Sequence, residues 1–154
     1  MTYGANPFPE SLQIAAYIKM HTGKDDRIAV LGSEPQIFFY ANRLSATGYI
    51  YIYGLMENQK YALQMQQEMI KEIEAAKPKF LVLVRVGASW MMQPNSYKVI
   101  LDWGEAYVGE NCERVGVVDI LDKDYTLYLW GRDALHYSPR SKSFIFIYQR
   151  RQPA

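Results

Sequence analysis

The chain has 154 residues, 49% hydrophobic and 21% charged, a length and balance suited to one globular domain with a buried core. Its net charge of +1 gives no electrostatic footprint for nucleic acid, and its one cysteine, Cys112, excludes an intrachain disulfide and a multi-cysteine metal site. The densest apolar run, Phe80 to Val84, is cut by Arg85, whereas a membrane span needs about 20 apolar residues.

The segment Met1–Pro7 has neither the charged nor the apolar stretch of a signal peptide, and it starts no element. Pro7, Pro9 and Glu10 then open a helix that runs to about Met20. Its inward face is Leu12, Ile14, Ala15 and Ile18, and Gly23 ends it. Arg27 to Leu31 is a short continuous apolar strand of the kind buried on both faces. Ser33 is placed to cap a short helix from Gln36 to Asn42, with Pro35 in its first turn.

Tyr49 to Tyr53 alternates Tyr and Ile, the period of a half-buried strand. Asn58 is the expected cap of the clearest helix, whose face is Ala62, Met65, Met69, Ile73 and Ala76, and Pro78 closes it. Lys79 to Val84 reads as the central strand. A loop over 87–94 leads to a helix from about Ser96 to Val108, with Val99, Ile100, Trp103 and Tyr107 inward. Gly104 costs that helix about 1 kcal/mol of propensity. Arg114 to Ile120 and Tyr125 to Trp130 form an antiparallel hairpin, and Phe144 to Tyr148 is the last strand. Strands alternating with helices imply crossovers. The expected architecture is a single α/β domain, a three-layer Rossmann-like sandwich whose sheet is mainly parallel with antiparallel strands at the C-terminal edge.

The chemistry-bearing motifs of such folds are missing. The segment Gly32-Ser33-Glu34-Pro35-Gln36 lacks the second glycine that lets a pyrophosphate approach. There is no P-loop, no HExxH and no GxSxG pattern. His21 and His136 read as surface residues, and Cys112 as structural. Asp119, Asp122 and Asp124 read as solvated turn residues. No catalytic residue, metal site or cofactor is therefore assigned.

Glu34 stands apart, at the carboxyl end of the first strand, where ligands enter open α/β sheets. With Ser33, Gln36, Arg43 and Arg85 it makes the candidate ligand or acceptor contact; the plainer alternative is a local ion pair. Trp90, Met91 and Met92, apolar in a surface loop, and the tyrosines Tyr49, Tyr51 and Tyr53 make the candidate interface, unless the Trp90 loop folds back over the core.

Several stretches together resemble a known family. They are Asn6-Pro7-Phe8-Pro9-Glu10, Ala16-Tyr17-Ile18, the run from Ile28 through Gly32-Ser33-Glu34-Pro35-Gln36 to Tyr40, and then Arg43, Ala46-Thr47, Gln59-Lys60 and Lys77-Pro78-Lys79. The segment is similar to the C-terminal soluble region of bacterial membrane glycosyltransferases related to the dolichyl-phosphate-mannose protein mannosyltransferases, a group that includes the aminoarabinose transferases acting on lipid A. The likeness runs to about residue 95, and the last third has no counterpart.

The resemblance implies a fragment of a longer, multi-span enzyme that uses a polyprenyl-phosphate-linked sugar as donor. The catalytic acid of that family lies in an early extracytoplasmic loop with no counterpart here, so no catalytic residue carries over. It further implies an accessory domain on the periplasmic face of the bacterial inner membrane, inactive alone. Its partners would be the membrane-embedded portion of the same protein and the lipid-linked sugar or acceptor. The alternative is a free-standing α/β module binding a nucleotide or small anion near Ser33 and Glu34.

Overall fold

The computed structural model describes residues 6–153; the leading Met1–Ala5, expected to start no element, and Ala154 lie outside the described residues. Helix α1 (Phe8–Met20) begins after Pro7, whose carbonyl accepts a 2.6 Å bond from the Ser11 hydroxyl. Strand β1 (Ile28–Leu31) is buried at every position. Helix α2 (Gln36–Ala41) follows, then α3 (Tyr53–Met56) and α4 (Ala62–Ala76). Strand β2 (Phe80–Arg85), α5 (Gly87–Trp90) and α6 (Val99–Asn111) come next. Strands β3 (Cys112–Ile120) and β4 (Thr126–Trp130), α7 (Arg132–Leu135) and β5 (Phe144–Arg150) complete the chain. None of the helices among the described residues is long and apolar enough to cross a membrane.

The five strands form one sheet in the order β1-β2-β5-β3-β4. Only β1 and β2 pair in parallel; β5 is antiparallel to both β2 and β3, and β3 is antiparallel to β4. The expected mainly parallel sheet is thus corrected to a mixed one. The crossover through α6 does carry the chain from β2 to a strand of the same direction, but β3 lands one place too far. The gap is filled by β5, which arrives last, so the antiparallel strands are not confined to an edge. β2 is interior and β5, not β2, is central.

Each face of the sheet carries its own core. Ile28, Val30, Phe80, Val82 and Val84 pack with Ile14, Ile18 and Ile37 from α1 and α2. Ala29, Leu31, Leu81 and Leu83 pack with Leu55, Met69, Ile73 and Ile100 from α3, α4 and α6. Strict alternation along β1 and β2 with both faces covered is why these strands are uniformly apolar. Burial of each large aliphatic side chain contributes about 1.5–3 kcal/mol. β1 is an edge strand, yet its start is covered: Ile28 donates to Leu44 O (3.2 Å) and Ala46 donates to Ile28 O (2.8 Å).

Other expectations are corrected. The Tyr49–Tyr53 segment is no strand, and Tyr53 begins α3. The Ile52 amide is captured by the Ser33 hydroxyl (2.9 Å) and enters no ladder. Its alternation also fails in burial, since Ile52 is buried while Ile50 is exposed. α4 begins at Ala62 rather than at Asn58, with no side-chain cap; Gln59 instead ties the preceding turn by accepting from Tyr61 N (2.8 Å) and donating to Gly54 O (2.8 Å). Ser33 caps no helix, because Pro35 holds that position in α2. α6 starts at Val99, since the Ser96 hydroxyl is spent on Met56 O and Gln93 N. Leu12, Ala76 and Val99, expected inward, are exposed. Gly104 is explained by contact: a Cβ there would stand 2.7 Å from Leu31 Cδ1, so α6 lies closer to β1 than any larger residue allows.

Candidate functional site

The carboxyl end of the parallel pair is tied shut. The Ser33 amide donates to both Ser89 Oγ (2.8 Å) and Ser89 O (3.1 Å), and the Ser33 hydroxyl accepts from Ile52 N. Three segments, after β1, before α3 and in α5, meet at this one serine. Gly32 permits the approach: its φ is 151°, and a Cβ there would lie 2.7 Å from Val84 Cβ and 2.8 Å from Ser89 Oγ.

Glu34, beside this knot, is 2% exposed. Gln36 donates its amide to Glu34 Oε2 and to Ser11 Oγ, while Glu34 Oε1 is buried with no hydrogen-bond partner among the described residues. Burial pushes the Glu34 carboxyl above its ordinary range, against the pull of Ser89 and Gln36. Ser33, Glu34 and Gln36 are therefore brought together as expected, but into a packed polar cluster. The Ser33 amide is committed within the protein and is not free to receive an anion. This geometry argues against the nucleotide or small-anion alternative.

Arg43 is elsewhere. Its guanidinium donates to Thr22 Oγ1 (2.8 Å), Thr22 O (2.8 Å) and Asn42 O (2.8 Å), clamping the ends of α1 and α2 at the amino end of β1. The expectation that it joins Glu34 and Arg85 in one contact site is corrected. Carbonyls left over at two helix ends provide a stronger demand for its five donors than a ligand site does. Arg85 pairs with Glu105 of α6.

Arg85 opens onto a cleft of about 1520 Å³. Its floor is the alternating face of β5: Phe144, Phe146 and Tyr148. The register sets Phe144 opposite Arg85 and Phe146 opposite Leu83, so floor and Arg85 share one face of the sheet. The rings follow one another with centroids 4.9 and 6.0 Å apart. Leu101, Glu105 and Val108 of α6 form one wall, and Met91, Met92 and Gln93 close the end. α6 comes close to β1 at Gly104 and meets β5 at its own end, where Arg150 donates to the Tyr107 hydroxyl (2.7 Å), and the cleft lies between this helix and the β5 rings. A smaller cleft of about 670 Å³ shares Glu105, Val108, Phe146 and Tyr148 and continues toward His136 and Arg151. The Arg114 guanidinium, 4.4 Å from the Phe146 ring centroid, marks the passage.

The candidate interface divides. Trp90 is corrected: it is 4% exposed, and its indole N–H donates to Val84 O (2.7 Å), so the loop folds back over the core. Met91 is 63% exposed and Met92 is also exposed; both line the cleft. Tyr51 is exposed. Tyr53 also lines the cleft, with its hydroxyl donating to Ala88 O (3.3 Å). The Tyr49 hydroxyl donates to Glu68; burial first, then Glu68 and Glu72, pushes its pKa up to about 12.

The expectation for Asp119 is also corrected. Asp119 is no solvated turn residue but fully buried in β3. Its carboxylate accepts from Tyr137 OH (2.7 Å), Arg140 N (2.8 Å), Ser141 N (3.3 Å) and the Ser141 hydroxyl. Burial alone would raise its pKa, but these bonds outweigh it and hold the carboxyl below its ordinary range. They fasten the 137–143 segment, which carries Lys142 to the rim of the cleft. The signal for this was its place between Val118 and Ile120 inside an apolar strand.

His21 sits exposed at the end of α1, with Nδ1 2.7 Å from Tyr17 O. Cys112 is buried, and burial raises its thiol pKa. Among the described residues no three His, Cys, Asp or Glu side chains gather as metal ligands. Comparison with protein-family models, with curated proteins and with solved structures returns no match.

Proposed function

We propose that this chain is the accessory, non-catalytic domain of an integral-membrane glycosyltransferase that uses a polyprenyl-phosphate-linked sugar, held on the periplasmic face of a bacterial inner membrane. In this reading its helix–sheet–helix stack is a three-layer Rossmann-like variant. Its working surface is the aromatic cleft, where it engages the lipid-linked sugar or the acceptor beside the membrane-embedded portion of the same protein. The observation that supports this is the composition of the cleft. A long apolar floor of Phe144, Phe146 and Tyr148 ends at a rim with two cations, Arg85 and Lys142. Arg85 is neutralised by Glu105, whereas Lys142 has no ion-pair partner among the described residues. An apolar chain with an anionic head matches that layout: the chain desolvates the rings, and the head meets a cation.

The test uses the domain as it stands, with a short-chain polyprenyl phosphate titrated against Tyr and Trp fluorescence. Saturable binding is expected, with Lys142→Glu weakening it by about tenfold, the effect of losing one favourable charge contact of about 1.4 kcal/mol. Inorganic phosphate alone should not saturate. The polyprenyl-phosphate sugar should bind without turnover. A flat titration, or sugar transfer by this domain alone, would remove the reading.

A further inference from the structure

β4 ends the sheet, and no strand among the described residues pairs with its outer edge. The bonds at its two ends fix which groups face outward. Gly131 N donates to Val115 O (2.8 Å), and Leu121 N donates to Tyr125 O (3.0 Å). In an antiparallel ladder, bonded and non-bonded pairs alternate. Leu127 and Leu129 are thus the residues that bond to β3, opposite Asp119 and Val117. Thr126, Tyr128 and Trp130 direct N–H and C=O away from the sheet, and among the described residues no backbone group accepts or donates there. Edge strands are usually guarded by a charge, a proline, a bulge or a covering segment. Thr126-Leu127-Tyr128-Leu129-Trp130 has no charge and no proline. The opposite edge, β1, does have its cover, the Leu44–Ala46 segment.

We propose that the β4 edge is the docking surface for a second copy of this chain, with the two β4 strands antiparallel about a two-fold axis at Tyr128. The strand is complementary to itself in this register. Tyr128 meets Tyr128, and Thr126 meets Trp130 in both directions, so every outward group finds a partner in about six hydrogen bonds. Leu127 stands opposite Leu129 of the second copy, and no like charges meet at the axis. Just beyond the strand, Asp124 comes toward Arg132 of the second copy, and Lys123 toward its Asp133. All four are exposed, and both contacts join opposite signs. A slip of one residue loses the bonds and turns the strand over. Such matching about one residue is what a self-pairing edge requires, and a foreign strand requires none of it. The two sheets become one, and the axis, perpendicular to it, leaves both aromatic clefts on the same side.

Sedimentation equilibrium of the wild-type chain over a concentration series tests this. A reversible monomer–dimer equilibrium is expected. Leu127→Lys with Leu129→Lys places lysine against lysine and should leave a monomer. Leu127→Lys with Leu129→Glu places lysine against glutamate and should restore the dimer. Thermal melts establish that each variant folds. Amide exchange on the wild-type chain reads the same contact without substitution: the Thr126, Tyr128 and Trp130 amides should slow as concentration rises. A monomer up to about 1 mM, the scale of negligible affinity, overturns the proposal. So does a dimer in which those three amides stay fast, or one that survives the double lysine variant.

Discussion

Two buried carboxylates show how opposite surroundings give opposite pH behaviour. Glu34 has one oxygen without a partner, and its pKa is raised by burial. A carboxyl with a raised folded pKa stabilises most below its unfolded pKa, and that stability is lost as pH rises through the folded value. Glu34→Gln keeps the shape without the charge. It should raise the melting temperature at pH 8 by about 2–4 °C per kcal/mol gained, with the gain vanishing at pH 4. Melts of both proteins at the two pH values decide it, and a loss at pH 8 would show that the charge is needed.

Asp119 has the reverse sign. Its pKa is lowered, so its contribution is present above the unfolded pKa and is lost as pH falls through the folded one. Asp119→Asn sets an amide N–H₂ against donors already in place, and should cost about 2–4 kcal/mol at pH 7. The variant should also show less acid destabilisation than wild type, which urea titrations at pH 3 and 7 would measure. The contrast bears on what was readable in advance. Glu34 was singled out by its place after an apolar strand. Asp119 was hidden because its three partner residues, Tyr137, Arg140 and Ser141, are about 20 residues away in a loop with no regular pattern.

At the scale of elements, α6 carries its own control experiment. Gly104 and Gly109 both lie in this helix, and propensity alone favours alanine at each by about 1 kcal/mol. A Cβ at Gly109 meets nothing within 4 Å, but one at Gly104 runs into Leu31. Gly109→Ala should therefore stabilise by about 1 kcal/mol. Gly104→Ala should destabilise, by up to about 2 kcal/mol once the overpacking cost is set against propensity. Urea unfolding midpoints of the two variants should move in opposite directions; movement the same way would mean that α6 shifts freely over β1. Elements with a local signal were legible: the apolar runs of β1 and β2, the heptad-like face of α4, and the β3–β4 hairpin with its Asp122–Asp124 turn. Tyr49–Tyr53 was not, because its alternation is local while the acceptor that captured Ile52, the Ser33 hydroxyl, is remote. The same distance hid the role of Trp90, whose anchoring bond to Val84 O depends on the α5 turn.

For the whole molecule, the decisive unread fact is the place of β5. Strand content was evident, but pairing is set by contacts that no periodicity encodes. β5 joins β2 along residues 144–149 and β3 along 144–150, and within the sheet it is the strand that links the β1–β2 pair to the β3–β4 hairpin. Deleting residues 144–154 should leave no cooperative unfolding transition by circular dichroism. A retained sigmoidal melt would mean that one half stands alone. The same strand lays down the aromatic floor of the cleft, so fold closure and the candidate working surface depend on the same residues.

That dependence also has a meaning in time. Synthesis makes β1 to β4 before β5, and a chain that has not yet released β5 offers two bare inner sheet edges, along β2 and along β3. No earlier strand among the described residues closes that slot. The domain therefore finishes as a single late event, and a chaperone has most to shield in the interval before β5 is released to fill the slot.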